Sequence, residues 1–151
     1  MKHWIACSLS LFALFVTGCD TVNHSQLQLM APKSERGSVA AIPASERDVV
    51  RQVITEIALR WRLEDRTSIS LTPGTICSYA QPDVQHPISI KAWMAGDRVS
   101  IDILQPPPEV GESGAYQKFR NEVMAALKKQ FGERLKLAEK MEQVTAGTPV
   151  P

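Results

Sequence analysis

Cys77, Asp83 and His86 are the side chains in the middle of this chain with the chemistry to ligate a metal or attack a substrate. A zinc site needs three or four ligands at stereotyped spacing, and these three fall in no such pattern. Cys77 has neither a CxxC companion nor an adjacent cluster of cations to lower its pKa. It reads as a buried thiol behaving as a small hydrophobe. The paired carboxylates Glu64 and Asp65 follow a helical segment, where solvation accounts for them. GxSxG, HExxH and glycine-rich phosphate loops are all missing from the sequence. The expectation is a protein without catalysis, metal or cofactor. What remains is a surface for binding. Trp93 is the kind of residue enriched at interface hot spots, and Tyr79 and Lys91 fall near it in the strand pattern described below. Pro106 to Pro108 reads as a loop spacer rather than a polyproline ligand.

The chain has 151 residues, room for one domain. Its 17 Lys and Arg nearly balance its 16 Asp and Glu, whereas a dedicated nucleic-acid binder needs a concentrated basic face. Hydrophobic residues at 44% and charged residues at 22% exclude wholesale disorder. The first residues follow a different logic. Met1-Lys2-His3 is a short positive start, and Trp4 to Val16 is an apolar run. A membrane-spanning helix needs about 20 residues, so this run is too short. It fits the core of a secretory signal peptide.

The run ends in Val16-Thr17-Gly18-Cys19. That order of charge, apolar stretch, small residues and Cys resembles the lipobox of bacterial lipoprotein precursors, with Val16 where that class prefers Leu. The resemblance covers residues 1–20 and implies cleavage after Gly18, acylation of Cys19 and a membrane anchor. Asp20 resembles the signal that retains enteric-type lipoproteins at the inner membrane. Each acyl CH₂ buried contributes roughly 0.8 kcal/mol, so several chains together hold a domain on a bilayer. The resemblance therefore implies a lipid-anchored envelope protein facing the periplasm. Loss of residues 1–18 removes Lys2 and Cys7 and leaves equal numbers of basic and acidic side chains. Cys77 is then the one unmodified thiol, and it cannot staple its own domain.

These features must be positioned by the rest of the chain. Residues 19–44 read as the lipidated Cys and a flexible tether, polar and interrupted by Pro32 and Pro43, although Leu27, Leu29 and Met30 offer apolar side chains for docking. Val49, Val50, Val53, Ile54, Ile57 and Trp61 recur at helical spacing, which predicts a helix over 45–62 capped by Ser45. Residues 67–79 read as one bulged strand or two short strands around Pro73-Gly74. The apolar alternations Ile88–Met94 and Val99–Ile103 flank Gly96-Asp97, which predicts a hairpin with glycine first in a two-residue turn. Counting outward pairs Met94 with Val99, Ala92 with Ile101 and Ile90 with Ile103 on one face. Trp93 then opposes Ser100, and Lys91 opposes Asp102, on the other. Ser113 caps a second helix with the stripe Tyr116, Phe119, Val123, Leu127 and Phe131, stopped by Gly132. Residues 133–143 fit either more helix or a short strand through Leu135 and Leu137, and 141–151 read as a disordered tail.

The expected architecture is an α+β domain over residues 45–140. It runs helix, two or three antiparallel strands, helix, with both helices packed on one face of a small sheet. The expected role is a membrane-anchored, non-enzymatic binding or accessory module, of immunity type or a subunit of an envelope complex. It would engage an envelope protein through the open sheet face and loops 80–87 and 105–113, and no nucleic acid. The alternative is a small lipid or ligand carrier in the periplasm, with an apolar cleft between sheet and helices.

Overall fold

A computed structural model describes residues 23–32, 41–106 and 114–138. Residues 1–22, with Cys19 and Asp20, and the expected tail 141–151 lie outside the described residues. The elements in chain order are β1 (Asn23–Leu29), α1 (Ala44–Arg60), β2 (Glu64–Asp65), β3 (Thr75–Ala80), β4 (Ser89–Ala95), β5 (Arg98–Gln105), α2 (Gly114–Phe131) and β6 (Leu135–Ala138). The six strands form one antiparallel sheet in the order β2-β3-β4-β5-β1-β6. This overturns the expected helix–strands–helix domain with two helices on a small sheet. Among the described residues the sheet is the main body, and two α-helices accompany it.

The added strands come from segments whose local pattern hides their partners. Residues 23–29, placed in the tether by their composition, form β1 between β5 and β6, with Leu27 paired to Ile101 on one side and Leu137 on the other. Ser25, Leu27 and Leu29 are buried while His24, Gln26 and Gln28 are partly exposed, a clean period-2 alternation. β5 and β6 are both antiparallel to β1 and hence parallel to each other. A parallel pair needs a long crossover, which α2 supplies. Of the segment read as 133–143, the described part to Ala138 is the end of a 3₁₀ turn, Gly132–Arg134, and then β6, while 139–143 lie outside the described residues.

The β4–β5 hairpin has the register that its turn dictates: Met94 opposes Val99, Ala92 opposes Ile101 and Trp93 opposes Ser100. Gly96 takes φ +66° as the first turn residue, a conformation that glycine adopts without steric cost. The expected strand over 67–79 is real only at its end. Thr67–Ile69 is a 3₁₀ turn, and β3 begins at Thr75 with a register shift at the bulge before Cys77. Ile69 and Leu71 are exposed, Leu71 at 98%. Their alternation with Ser and Thr mimics a strand, but no neighbouring strand pairs with them, and Pro73 has no N–H to give a ladder.

α1 starts at Ala44, one residue ahead of Ser45, which makes no capping bond. Pro43 occupies the cap position, and its carbonyl accepts from Glu46 and Arg47 N–H. Val50, Ile54, Ile57 and Ala58 of α1 and Tyr116, Phe119, Val123 and Leu127 of α2 are buried. Their side chains meet Leu27, Leu29, Ile90, Ala92, Val99, Ile101 and Ile103 from the sheet in a single core. The helices also grip each other, with Trp61 edge-on to Phe119 at 5.2 Å. Glu122 accepts from Arg60 Nε at 3.1 Å and from Trp61 Nε1 at 2.7 Å. Tyr116, fully buried, hydrogen-bonds the Ser25 hydroxyl at 2.8 Å and the Ile103 carbonyl at 3.2 Å, which ties α2 to β1 and β5 together.

A second clasp closes the far end. Arg134 holds Glu46 in a two-pronged pair at 2.8 and 2.6 Å and donates to the Met30 carbonyl at 3.0 Å. Three segments distant in sequence are joined by one guanidinium. The hydrogen bonds and charge of Arg134 hold the Glu46 carboxyl below its ordinary value of 4.5. A carboxylate depressed in the folded chain stabilises fully above the unfolded value and loses that contribution as pH falls through the folded one. Glu46→Gln should therefore cost about 1–2 kcal/mol near pH 7. The gap to the unsubstituted protein should close as thermal melts are taken below pH 4.5. Leu27→Ala should cost about 2–5 kcal/mol in denaturant unfolding, the range for a buried leucine. A residue in a solvated tether would lose no more than about 0.5 kcal/mol.

Candidate functional site

With both helices on the core side, the other face of the sheet is left to polar side chains at the alternate positions of β1, β4 and β5. β4 presents Ser89, Lys91 and Trp93 there, β5 presents Ser100, Asp102 and Leu104, and β1 presents His24, Gln26 and Gln28. Trp93 and Lys91, two apart on β4, are brought together. Lys91 Nζ lies 5.2 Å from the Trp93 ring centroid and donates to Thr72 Oγ1 at 2.9 Å. A cation over an indole at a partly exposed site is worth about 0.5–1 kcal/mol and fixes the ring as a flat apolar platform. Lys91 and Asp102 stand opposite in register as expected, but Lys91 bonds Thr72, and Asp102 takes other partners.

Those partners come from β1. His24 Nε2 and Asp102 Oδ1 are 3.0 Å apart, and Gln26 Nε2 donates to the same oxygen at 3.1 Å. Gln28 Nε2 reaches Gln26 Oε1 at 3.4 Å, and Arg98 Nη1 donates to Gln28 Oε1 at 3.3 Å. The result is a polar row, His24–Asp102–Gln26–Gln28–Arg98, laid across two strands. Ser100 is buried within this face. Such an array holds donors and acceptors at fixed spacing on one face of the sheet. Three of its five members lie on β1, so reading β1 as tether hid them. The alternation of Leu27 and Leu29 with Gln26 and Gln28 is a strand-like signal, but by itself it does not say whether a neighbouring strand arrives.

Tyr79 does not join this surface. It opposes Ile90 on the core-facing side of β3, is 6% exposed, and its hydroxyl lies 2.8 Å from Thr55 Oγ1 of α1. Cys77 also lies on the core side, opposite Ala92, and is 1% exposed. Burial pushes its thiol up to about 12, outweighing the nearby positive charge of Arg51. The protonated thiol is neither a nucleophile nor a ready ligand. No group of three or more His, Cys, Asp or Glu able to hold a metal occurs among the described residues. No helix among them is long and apolar enough to cross a membrane.

A cleft of about 340 Å³ opens where the start of α1 passes over β3 and β4, lined by Ala44, Arg47, Asp48, Arg51, Gly74, Thr75, Ile76 and Met94. Arg51 Nε donates to the Ile76 carbonyl at 3.1 Å, which pins the helix to the sheet. Gly74, at φ +71°, is needed for the close approach, since a Cβ there would come within 3.2 Å of Met94 Cβ. The charged lining sets this cleft apart from an apolar cavity between helices and sheet. No protein-family model, curated protein or solved structure matches the chain. The class is defined by the geometry alone: among the described residues, a six-stranded antiparallel sheet backed by two helices on one face, with half-buried, mostly polar side chains on the other. In the folded protein Cys77 should resist a thiol-specific maleimide at pH 8 and react fully once denaturant is added. The rate ratio of the two conditions is the measurement.

Proposed function

We propose that this chain is a lipid-anchored protein of the bacterial envelope that works by docking a protein partner on the open face of its sheet. Acyl chains on Cys19 hold it to the membrane, Asp20 retains it at the inner membrane, and the domain faces the periplasm. It acts without catalysis, as an immunity-type protein or as a subunit of an envelope complex. The observation that supports this reading best is the half-buried polar face opposite the helices, with Trp93 on it. An ordered tryptophan under a lysine, beside a row of cross-linked polar groups, offers both an aromatic anchor and directional hydrogen bonds. Cys77 is buried in the core, away from this face. The lipobox resemblance of residues 16–19 supplies the compartment.

The test is a face-selective loss of binding. The acylated protein, extracted in mild detergent, should migrate as a complex in native electrophoresis. Trp93→Ala should weaken that complex by about 2 kcal/mol, roughly 30-fold in affinity, as for a hot-spot residue. Gln52→Ala, on the exposed outer side of α1, should leave it unchanged. If Gln52→Ala dissociates the complex while Trp93→Ala keeps it, the partner uses the helical side and this reading fails.

A further inference from the structure

Only residues 20–22 stand between Cys19 and the start of β1 at Asn23. Even fully extended, the step from Cys19 to Asn23 spans no more than about 14 Å. The expected tether of residues 19–44 would have let the domain stand clear of the headgroups, but a leash this short does not. It ends, moreover, at a defined place on the fold. Asn23 pairs with Gln105, Leu104 pairs with Ser89, and Ser89 pairs with Ala80. All four strands therefore have one end in common there, and the 81–88 loop closes it.

We propose that this end of the sheet, with the 81–88 loop and the end of α1, rests on the phospholipid surface, so that the sheet stands upright with its far turns away from the bilayer. The proposal rests on the reading of Cys19 as an acylated start. The 81–88 loop is built as a firm cap. Gln81 N–H donates to the Ile88 carbonyl at 3.0 Å, Ile88 N–H donates to Gln81 Oε1 at 3.0 Å, and Gln105 Nε2 donates to the His86 carbonyl at 3.1 Å. Val84, at its tip, is half exposed. α1 ends beside it, since Glu64, shortly after Arg60, pairs with Ala80. That helix end adds the exposed Leu59, Arg60 and Arg62. Exposed apolar side chains among arginines suit the boundary between headgroups and acyl chains, where basic residues meet anionic lipid. Asp83, Glu64 and Glu122 share this end, with Glu64 bonded to Arg66 at 2.7 Å and Glu122 accepting from Arg60 Nε at 3.1 Å, so the short leash, more than net charge, sets the orientation. Upright, the domain holds Trp93 and the polar row beside the membrane rather than against it, open to a partner. The expected partner loop 80–87 then faces lipid instead.

Single-cysteine labelling tests the orientation, because Cys77 is buried and its thiol stays protonated. Val84→Cys, Leu71→Cys and Lys136→Cys would each carry a fluorophore on the acylated full-length protein. The proteins would be reconstituted in phosphatidylethanolamine–phosphatidylglycerol vesicles containing a headgroup nitroxide lipid. Leu71 lies near the opposite end of β3, about 20 Å away along the strand, and Lys136 lies on the open face. The label at 84 should lose most of its emission, and the labels at 71 and 136 almost none. Equal quenching at all three positions, or stronger quenching at 71 or 136, overturns the upright orientation. An acyl mass on Cys19 and flotation with vesicles, lost in Cys19→Ser, show that the anchor reading holds whatever the labels report. If that mass is missing and flotation survives Cys19→Ser, the anchor reading falls and the orientation falls with it.

Discussion

The fold depends on one strand being gripped from both sides. β1 sits between β5 and β6, and β6 has no other partner in the sheet. Without β1, the crossover through α2 would deliver β6 to an empty position, and the hydroxyl of Tyr116 would lose Ser25. Leu27 and Leu29 contribute fully buried side chains at the centre of the core. Burying a leucine contributes roughly 1.5–3 kcal/mol relative to exposure, so two of them account for much of the reason a short polar segment stays in place. Arg134, bridging Glu46 and the Met30 carbonyl, locks the chain just after that strand.

The same insertion creates the polar row on the face opposite the helices. Because β1 is antiparallel between β5 and β6, its odd positions enter the core and its even positions join Asp102 and Arg98 on the other side. The polar row exists only once the two strands are paired, since none of its β1 members is near Asp102 in sequence. Trp93 and Lys91 are different. Their contact, two residues apart on one strand, needs only β4, and Thr72, 19 residues away, adds an anchor from outside the hairpin. The face thus has a part that is local and a part that is assembled.

With Cys19 acylated as proposed, the insertion would also govern where the domain stands. A lipidated residue on a long coil would make the orientation of the domain indifferent, since a flexible segment of 25 residues spans about 25–30 Å. A strand starting at Asn23 makes orientation a consequence of chain length. With Cys19 acylated as proposed, one end of the sheet would be brought to the headgroups and the Trp93 face would stand perpendicular to them. The fold and the polar row follow from one strand position, and the proposed anchor geometry would follow from it too.

How much of this was legible depends on the range of the interaction that fixes each element. The β4–β5 hairpin, its register and the place of Trp93 on the outer face follow from alternation and a glycine turn, both local, and the structure matches them residue by residue. The buried stripe of α2 follows from 3.6-residue spacing in the same way. The sequence alone also settles the balance of charge, the missing catalytic motifs and the Cys19 resemblance. Tertiary structure alone decided that Gln26 and Gln28 belong to a sheet, that Leu71 stays outside one, and that Tyr79 turns inward to Thr55. Each of those depends on whether a strand distant in sequence arrives to complete hydrogen bonds and cover side chains. Period-2 alternation describes a strand's two faces equally well with or without a neighbour, so the pattern cannot say which segments find one.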